Sequence, residues 1–337
     1  MSFRKVSGQS LMLVDVRAAI KPFVLTLDVG TSSVRAALYD AVGREIESTS
    51  ARIVRSLETT PDGGAEINAD AAIAQVIEII DASLARAGTL ASHIEAVAVA
   101  SFWHSLVGVD DRGRAVTPVF GWAETRAAKA AAQLRQRLDE KSSHARTGCR
   151  FHASYWPAKL AWLREDHSEL YRAATRWLSF SDYLALCLLG ETQTSVSMAS
   201  GTGLFNQARC EWDETLLKEL CLECAQLPLI AGTDDAFNHL GKTYAKRWPQ
   251  LEGAGWFLSI GDGAANNVGA GCVTKDRAAL MIGTSGAMRV MFEGAASELP
   301  EGLWCYRADR RRVLTGGALS DGGGLYGWMK ESLALTN

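Results

Sequence analysis

Phe23-Val-Leu-Thr-Leu-Asp28-Val-Gly30-Thr-Ser-Ser33-Val-Arg35-Ala-Ala-Leu-Tyr39-Asp40 decides the fold class of this 337-residue chain. A short apolar run from Phe23 to Asp28 stops at Gly30-Thr31-Ser32-Ser33, and a second occupies Val34 to Tyr39. Asp40 to Gly43 is turn material, and a third, loosely alternating run extends from Glu45 to Val54. Short runs broken by Gly, Ser and Asp clusters read as strand, loop, strand, turn, strand, an antiparallel meander. The period then changes. From Ala69 to Ala87, residues Ile73, Val76, Ile77, Ile80 and Leu84 recur at helical spacing, with Asp70 near the start. Ile94 to Ala100 and Leu106 to Val109 read as strands again, the second closed by Asp110 to Gly113. Strands, a helix and more strands make an α/β domain.

From Ala127 to Leu251 the texture is mainly helical. The legible pieces are Ala127 to Leu138, Lys159 to Arg164, Leu170 to Leu178 and a buried run from Leu184 to Leu189. Tyr244 to Gly255 is polar and carries Pro249 and Gly253, so it reads as a boundary, with a strand from Trp256 to Ile260 opening a second domain. At roughly 150 residues per domain, the length fits about two. The expected division is a tail over 1–22, a first lobe over 23–250 and a second over 251–337. Both lobes place Gly-Thr-Ser between apolar runs, at Gly30 to Ser32 and Gly283 to Ser285. The match is short, and it fits either two similarly built halves facing one another or chance repetition of common loop residues.

Composition narrows the function. The chain is 47% hydrophobic and 22% charged, which suits a packed globular protein. Thirty-five basic and 38 acidic residues give a formal charge of −3, with no basic run of the kind that binds nucleic acid. No stretch approaches the roughly 18 apolar residues of a membrane span. Seven scattered cysteines do not form a disulfide framework. Cys221 and Cys224 make one CxxC without a second pair or nearby histidine. With Leu216, Leu217, Leu220 and Leu222, Cys221 reads more simply as an apolar helix face. The first 21 residues have no secretory h-region or cleavage site. They read as a frayed tail on a reducing, cytoplasmic protein.

Four stretches carry groups suited to chemistry. The turn after Asp28 exposes backbone N–H groups, and Gly30 lets a phosphate approach the main chain. Thr31, Ser32 and Ser33 add hydroxyl donors, and Arg35 can reach a phosphate oxygen. Asp28 can hold a hydrated Mg2+ through one carboxylate oxygen. An ordinary hairpin turn uses the same residues. Gly283-Thr284-Ser285-Gly286 offers similar donors, with Met281 in place of the acid; neither loop is a P-loop. Asp262, in Ser259-Ile-Gly-Asp-Gly-Ala-Ala265, is either a base for a substrate hydroxyl or a helix N-cap. In Ser101-Phe-Trp103-His104-Ser105, His104 can hydrogen-bond a polyol while Trp103 packs on its carbon face; the alternative is a satisfied structural histidine. Trp122-Ala-Glu124-Thr-Arg126 is similarly open between a site contact and a mere surface pair of Glu124 with Arg126.

Taken in order, Asp28-Val-Gly-Thr-Ser-Ser-Val-Arg35, Ala100-Ser-Phe-Trp-His104, Trp122-Ala-Glu-Thr-Arg126, Tyr155-Trp-Pro-Ala-Lys-Leu-Ala-Trp162, Ser200-Gly-Thr-Gly-Leu204, Gly261-Asp-Gly-Ala-Ala265 and Gly283-Thr-Ser-Gly286 resemble the FGGY family of carbohydrate kinases, in its gluconokinase-like branch. The resemblance implies two ribonuclease-H-like lobes of the actin-like ATPase superfamily around a central cleft, the second lobe incomplete. It implies ATP-dependent phosphorylation of a sugar, polyol or gluconate-like sugar acid at a terminal hydroxyl. Asp28 would serve the Mg2+-nucleotide, and Thr31, Ser32, Ser33, Arg35, Gly283, Thr284 and Gly323 would serve its phosphates. Trp103 and His104 match the substrate-contacting pair, and Asp262 matches the catalytic base. The partner is a small carbohydrate; a homodimer is open as an assembly. Departures from the pattern are Gly263 where many members have Asn or Gln, Glu124 for Asp, and Trp156 beside Lys159. The chain is also short, lacking the later glycine-rich adenosine segment. A remnant that only binds, or an ATPase not acting on sugar, are the rival readings.

Overall fold

The computed structural model describes residues 13–282, 286–294, 299–319 and 323–333. Strand β1, Phe23–Val29, alternates as expected of a sheet with one protected face: Phe23, Leu25, Leu27 and Val29 are buried. It pairs antiparallel with β2, Ser33–Tyr39, through the register Asp28–Arg35. The run Glu45 to Val54 is not one strand. Glu45–Ile46 and β3, Ala51–Val54, are separate pieces that both pair with β2, and the break between them holds Ser48 at positive φ. Helix α1, Ala69–Ala87, starts where the Asn68 side chain accepts the Ala71 N–H (2.9 Å) and ends at Gly88. It buries Ile73, Val76, Ile80 and Leu84 in the first-lobe core.

Strand β4, Ile94–Ser101, lies parallel to β1 on the side away from β2. The segment expected to open the second lobe then returns to this same sheet. β5, Gly255–Phe257, and β6, Ile260–Gly261, both pair parallel to β4. Trp256 therefore belongs to the first-lobe core, because a run hydrogen-bonded into a sheet cannot start another body. The second sheet begins later. It is antiparallel, in the spatial order β7 (Ala278–Ile282), β8 (Gly286–Glu293), β10 (Arg312–Leu319), β9 (Trp304–Arg307).

Three other expectations are corrected. Leu170 to Leu178 is not one helix: Ser168–Ala173 is helical, but Arg176–Leu178 is a strand paired with Val107–Val109. The helix bearing Leu216 and Leu217 stops at Glu219, and Cys221, at positive φ, turns out to solvent with Cys224. Part of the N-terminal tail is ordered, since Leu13–Val14 pairs with Glu45–Ile46 and buries Val14. The lobes meet in a cluster of Trp103, Tyr155, Met198, Ala264, Met291, Tyr306 and Leu314. Among the described residues no helix is long and apolar enough to cross a membrane.

Candidate active site

Three parallel strand ends stand abreast at one edge of the first sheet. Asp28 and Val29 of β1 face Ala100 and Ser101 of β4, which face Ile260 and Gly261 of β6. With neighbouring strands about 4.8 Å apart, Asp28 and Asp262, the residue after β6, are about 10 Å from each other. Such an edge is where open α/β sheets receive ligands.

The turn after Asp28 is tight. Gly30 N–H donates to the Ser33 carbonyl at 2.9 Å. From the end of β3, the buried Arg55 donates Nε and Nη2 to the Gly30 carbonyl (3.0 and 2.5 Å), and its own N–H donates to the Ser32 carbonyl. This leaves Thr31 half-buried, Ser32 exposed and Ser33 buried. Asp28 and Arg35 are opposite one another and exposed. Crowding by protein raises the Asp28 carboxyl above its ordinary range, and Arg35 pulls it back.

Trp103 is buried, and its Nε1–H donates to the Ser197 carbonyl (2.9 Å). Its indole lies against three glycines. A Cβ at Gly201, Gly261 or Gly263 would stand 2.6, 1.9 or 2.7 Å from an indole carbon. The glycines of Ser200-Gly-Thr-Gly203 and Gly261-Asp-Gly263 are thus partly explained by one tryptophan. His104 follows with φ +66°, costly for a side chain of this size. Two bonds hold it there. Its Nδ1–H donates to the Gly201 carbonyl (2.5 Å), and its own carbonyl accepts from Lys159 Nζ (2.7 Å). Burial lowers the imidazole to about 3, so it is neutral and presents Nε2 as an acceptor. Lys159 is fully buried on helix α2, Trp156–Asp166, and also donates to the Gly121 carbonyl (2.7 Å). Burial lowers it to about 7, opposed by Glu124.

Asp262 opens helix α3, Asp262–Gly269, but does not cap it: the N-cap position is Gly261, and Asp262 Oδ1 accepts the adjacent Gly263 N–H (2.8 Å). The carboxyl is open to water at its tip yet walled by protein, and that crowding raises its pKa. The Gly263 N–H and Arg289 lower it, and Asp28 raises it further. From the second sheet, Tyr306 hydroxyl meets Tyr155 hydroxyl at 2.6 Å, and its ring lies 4.9 Å from Trp103 and 5.4 Å from His104.

Thus Asp28, Thr31, Ser32, Ser33 and Arg35 share one end of the edge, and Trp103, His104 and Asp262 the other. Gly283 and Thr284 lie outside the described residues; Gly323 begins the helix Gly323–Ser332. Glu124 and Arg126 are not a surface pair, which is a correction. Glu124 is buried, accepts the Ala65 N–H and binds Arg126 (2.6 Å), which also pairs with Glu66 and stacks over Trp162. Sequence reasoning missed Arg55, Tyr306 and Arg289, and gave no role to Lys159. A polar residue inside an otherwise apolar strand or helix face was the available signal for Arg289 and Lys159.

The family model for the N-terminal domain of the FGGY carbohydrate kinases matches residues 23–269. The chain belongs to this family. It is similar to the gluconokinase of Bacillus subtilis, 25% identical over 93% of this chain and 60% of that protein. A glycerol kinase of Aromatoleum aromaticum is 31% identical over 93% of this chain and 64% of its own length. Among solved structures, a gluconate kinase from Lactobacillus acidophilus superposes with TM-score 0.83 at 27% identity, over 91% of this chain and 62% of that one. A ligand-bound xylulose kinase from the same organism gives 0.84 at 27%, over 92% and 62%. The chain spans about three-fifths of the length of the curated relatives it matches. The mixed α/β fold with its central sheet is that of FGGY kinase structures.

Proposed function

We propose that this chain carries the sugar-side machinery of an ATP-dependent kinase that phosphorylates a terminal hydroxyl of a sugar, polyol or gluconate-like sugar acid. The observation that supports this most is the pairing of two carboxylates on one sheet edge, Asp28 beside a hydroxyl-rich turn and Asp262 beside Trp103 and the neutral His104. The names of the relatives agree with it.

The half-buried His104 offers Nε2 to a substrate hydroxyl, with the buried Trp103 and Tyr306 rings packed behind it. Asp262 takes the proton of the reacting alcohol, and its raised pKa brings it nearer the range useful to a general base. The alcohol oxygen forms a bond to the γ-phosphorus of ATP as the bond to the ADP oxygen breaks. The Gly30–Ser33 turn fits phosphate: Gly30 has no side chain, the accessible hydroxyls of Thr31 and Ser32 follow it, and Arg35 is exposed on the next strand. Among the described residues there is no cluster of three acids, histidines or cysteines. A single exposed carboxylate, Asp28, suits a magnesium ion that keeps its waters and binds mainly through phosphate oxygens. When bound, the ion supplies charge neutralisation for the phosphates. Gly283, Thr284 and Gly323 complete the phosphate contacts in this proposal.

The test is an ADP-release assay on the 337-residue chain and on a C-terminally extended form, over gluconate, xylulose, ribulose and glycerol. Polyol-dependent ADP release supports the reading. Polyol-independent ATP hydrolysis that is unaffected by His104→Ala refutes it.

A further inference from the structure

Arg55 is a buried cation whose hydrogen-bond partners are all neutral. Two of its nitrogens, Nε and Nη2, converge on the Gly30 carbonyl (3.0 and 2.5 Å), and its backbone N–H donates to the Ser32 carbonyl (3.0 Å). Its Nη1 has only the Gln75 side-chain oxygen, at the long distance of 3.5 Å. The guanidinium carbon stands 5.7 Å from the ring centres of both Phe102 and Phe180, two buried side chains that hold it against the turn. Burial brings the guanidinium down to about 10, and no carboxylate among the described residues pulls it back. A neutral donor would satisfy a carbonyl with a smaller desolvation cost. The fold nonetheless keeps a positive charge on the buried side of the turn.

We propose that Arg55 is the positioning residue of the phosphate turn: by holding the Gly30 carbonyl inward, it aims the Thr31 N–H outward at the polyphosphate of the nucleotide. The inference rests on the kinase reading above and deepens it. The geometry is that of the peptide unit. The bond between Gly30 and Thr31 is trans, so the carbonyl of one and the N–H of the other point to opposite sides. With the carbonyl fixed toward the buried Arg55, the Thr31 N–H turns to the accessible side, and among the described residues it has no acceptor. A cation on the carbonyl also polarises the peptide, which strengthens its N–H as a donor to an anion. Arg35, exposed on β2, can meet a phosphate directly, whereas Arg55 beneath the turn acts through the peptide.

ADP release by the 337-residue chain and its C-terminally extended form tests this, with KM measured separately for Mg-ATP and for the polyol. Arg55→Met removes both donors and is expected to raise KM for ATP by about tenfold or more, the worth of one aligned bond to a charged group, while KM for the polyol stays within about twofold. Arg55→Lys keeps the charge and one donor and is expected to recover part of the loss. An unchanged KM for ATP in Arg55→Met overturns the assignment. So does an equal rise in both KM values, which general loosening of the lobe would produce. A second measurement needs no variant. In amide NMR spectra of the native chain, inorganic tripolyphosphate with magnesium is expected to shift the Thr31 amide more than that of Gly43, whose N–H is already bonded to the Asp40 carbonyl (2.9 Å). An unmoved Thr31 amide overturns the inference even where Arg55→Met fails to fold. Polyol-dependent ADP release indifferent to Arg55→Met defeats this inference alone, whereas no polyol response in the native chain defeats the kinase reading with it.

Discussion

Gly261→Ala isolates the packing that fixes Trp103. Gly261 has φ −65° and ψ 139°, a conformation open to any residue, so the backbone raises no objection to alanine. Space does. The new methyl would lie 1.9 Å from Trp103 Cε2 and 2.3 Å from both Cζ2 and Nε1. Since carbon contacts settle at about 3.5–4.0 Å, the indole must retreat by about 1.5 Å. Overpacking of this kind costs about 1–3 kcal/mol. Pulling Nε1 from the Ser197 carbonyl leaves a buried donor and acceptor unpaired, for about 1–3 kcal/mol more. A loss of about 2–6 kcal/mol corresponds to a fall of roughly 3–9 °C in thermal midpoint for a chain of this size. A displacement of that order beside the reacting alcohol also costs about 10²-fold in kcat/KM. Scanning calorimetry reads the first effect, and Gly269→Ala, with nothing within 4 Å of its Cβ, is the control expected to change stability by no more than about 1 kcal/mol. In a Trp103→Ala background the Gly261→Ala cost should nearly vanish. A native midpoint for Gly261→Ala, or the full cost without the indole, would refute the reasoning.

Three further outcomes follow from the same geometry. Asp262→Asn should lower phosphoryl transfer by about 10²–10⁴-fold, with nucleotide binding by calorimetry little changed. The folded chain holds the Asp262 proton more tightly than the unfolded chain, so ionisation costs stability as pH rises through the folded pKa. Asp262→Asn should therefore melt above the native chain at pH 7 and converge with it below about pH 4. Glu124→Ala leaves Arg126 paired with Glu66 alone and the buried Ala65 N–H without its acceptor, and should cost about 1–3 kcal/mol in urea unfolding. Burial raises the Glu124 carboxyl, but the Arg126 and Ala65 hydrogen bonds outweigh it and the pKa is lowered, so this deficit is full above the ordinary carboxylate range and shrinks as pH falls through the folded value. Lys159→Met leaves the His104 and Gly121 carbonyls buried without a donor, which should cost about 2–4 kcal/mol by the same assay and raise KM as His104 leaves its strained backbone.

Local pattern made the first sheet legible. The alternation of β1, the turn at Gly30 and the helical period of α1 each depend on neighbours in sequence, and they appear where the residues place them. The return of Trp256 to that sheet was not legible, because a parallel pairing with β4 leaves no mark near residue 256. A boundary-like composition from Tyr244 to Gly255 outweighed it. The same reason separates the site residues. Asp28, Trp103, His104 and Asp262 sit in motifs at strand ends, where an acid or histidine stands out against an apolar run. Arg55 and Tyr306 act through contacts made across the fold, with the Gly30 carbonyl and with Tyr155, and nothing in their own segments announces those partners. Glu124 and Arg126 misled in the other direction. Two charges two residues apart look like a solvated pair, and only the packing of Trp162 and the Ala65 N–H shows them to be enclosed.

The position that departs from the family pattern most informatively is Gly263. No larger side chain fits there as the chain stands, because a Cβ would lie 2.7 Å from Trp103 Cζ3 and 2.9 Å from Arg289 Nε. The choice of tryptophan at 103 therefore constrains three other positions, Gly201, Gly261 and Gly263. A single indole placed just after β4 thus ties the end of β6, the start of α3 and the Ser200–Gly203 turn to one another beside Asp262, so any change in its size is felt at all three.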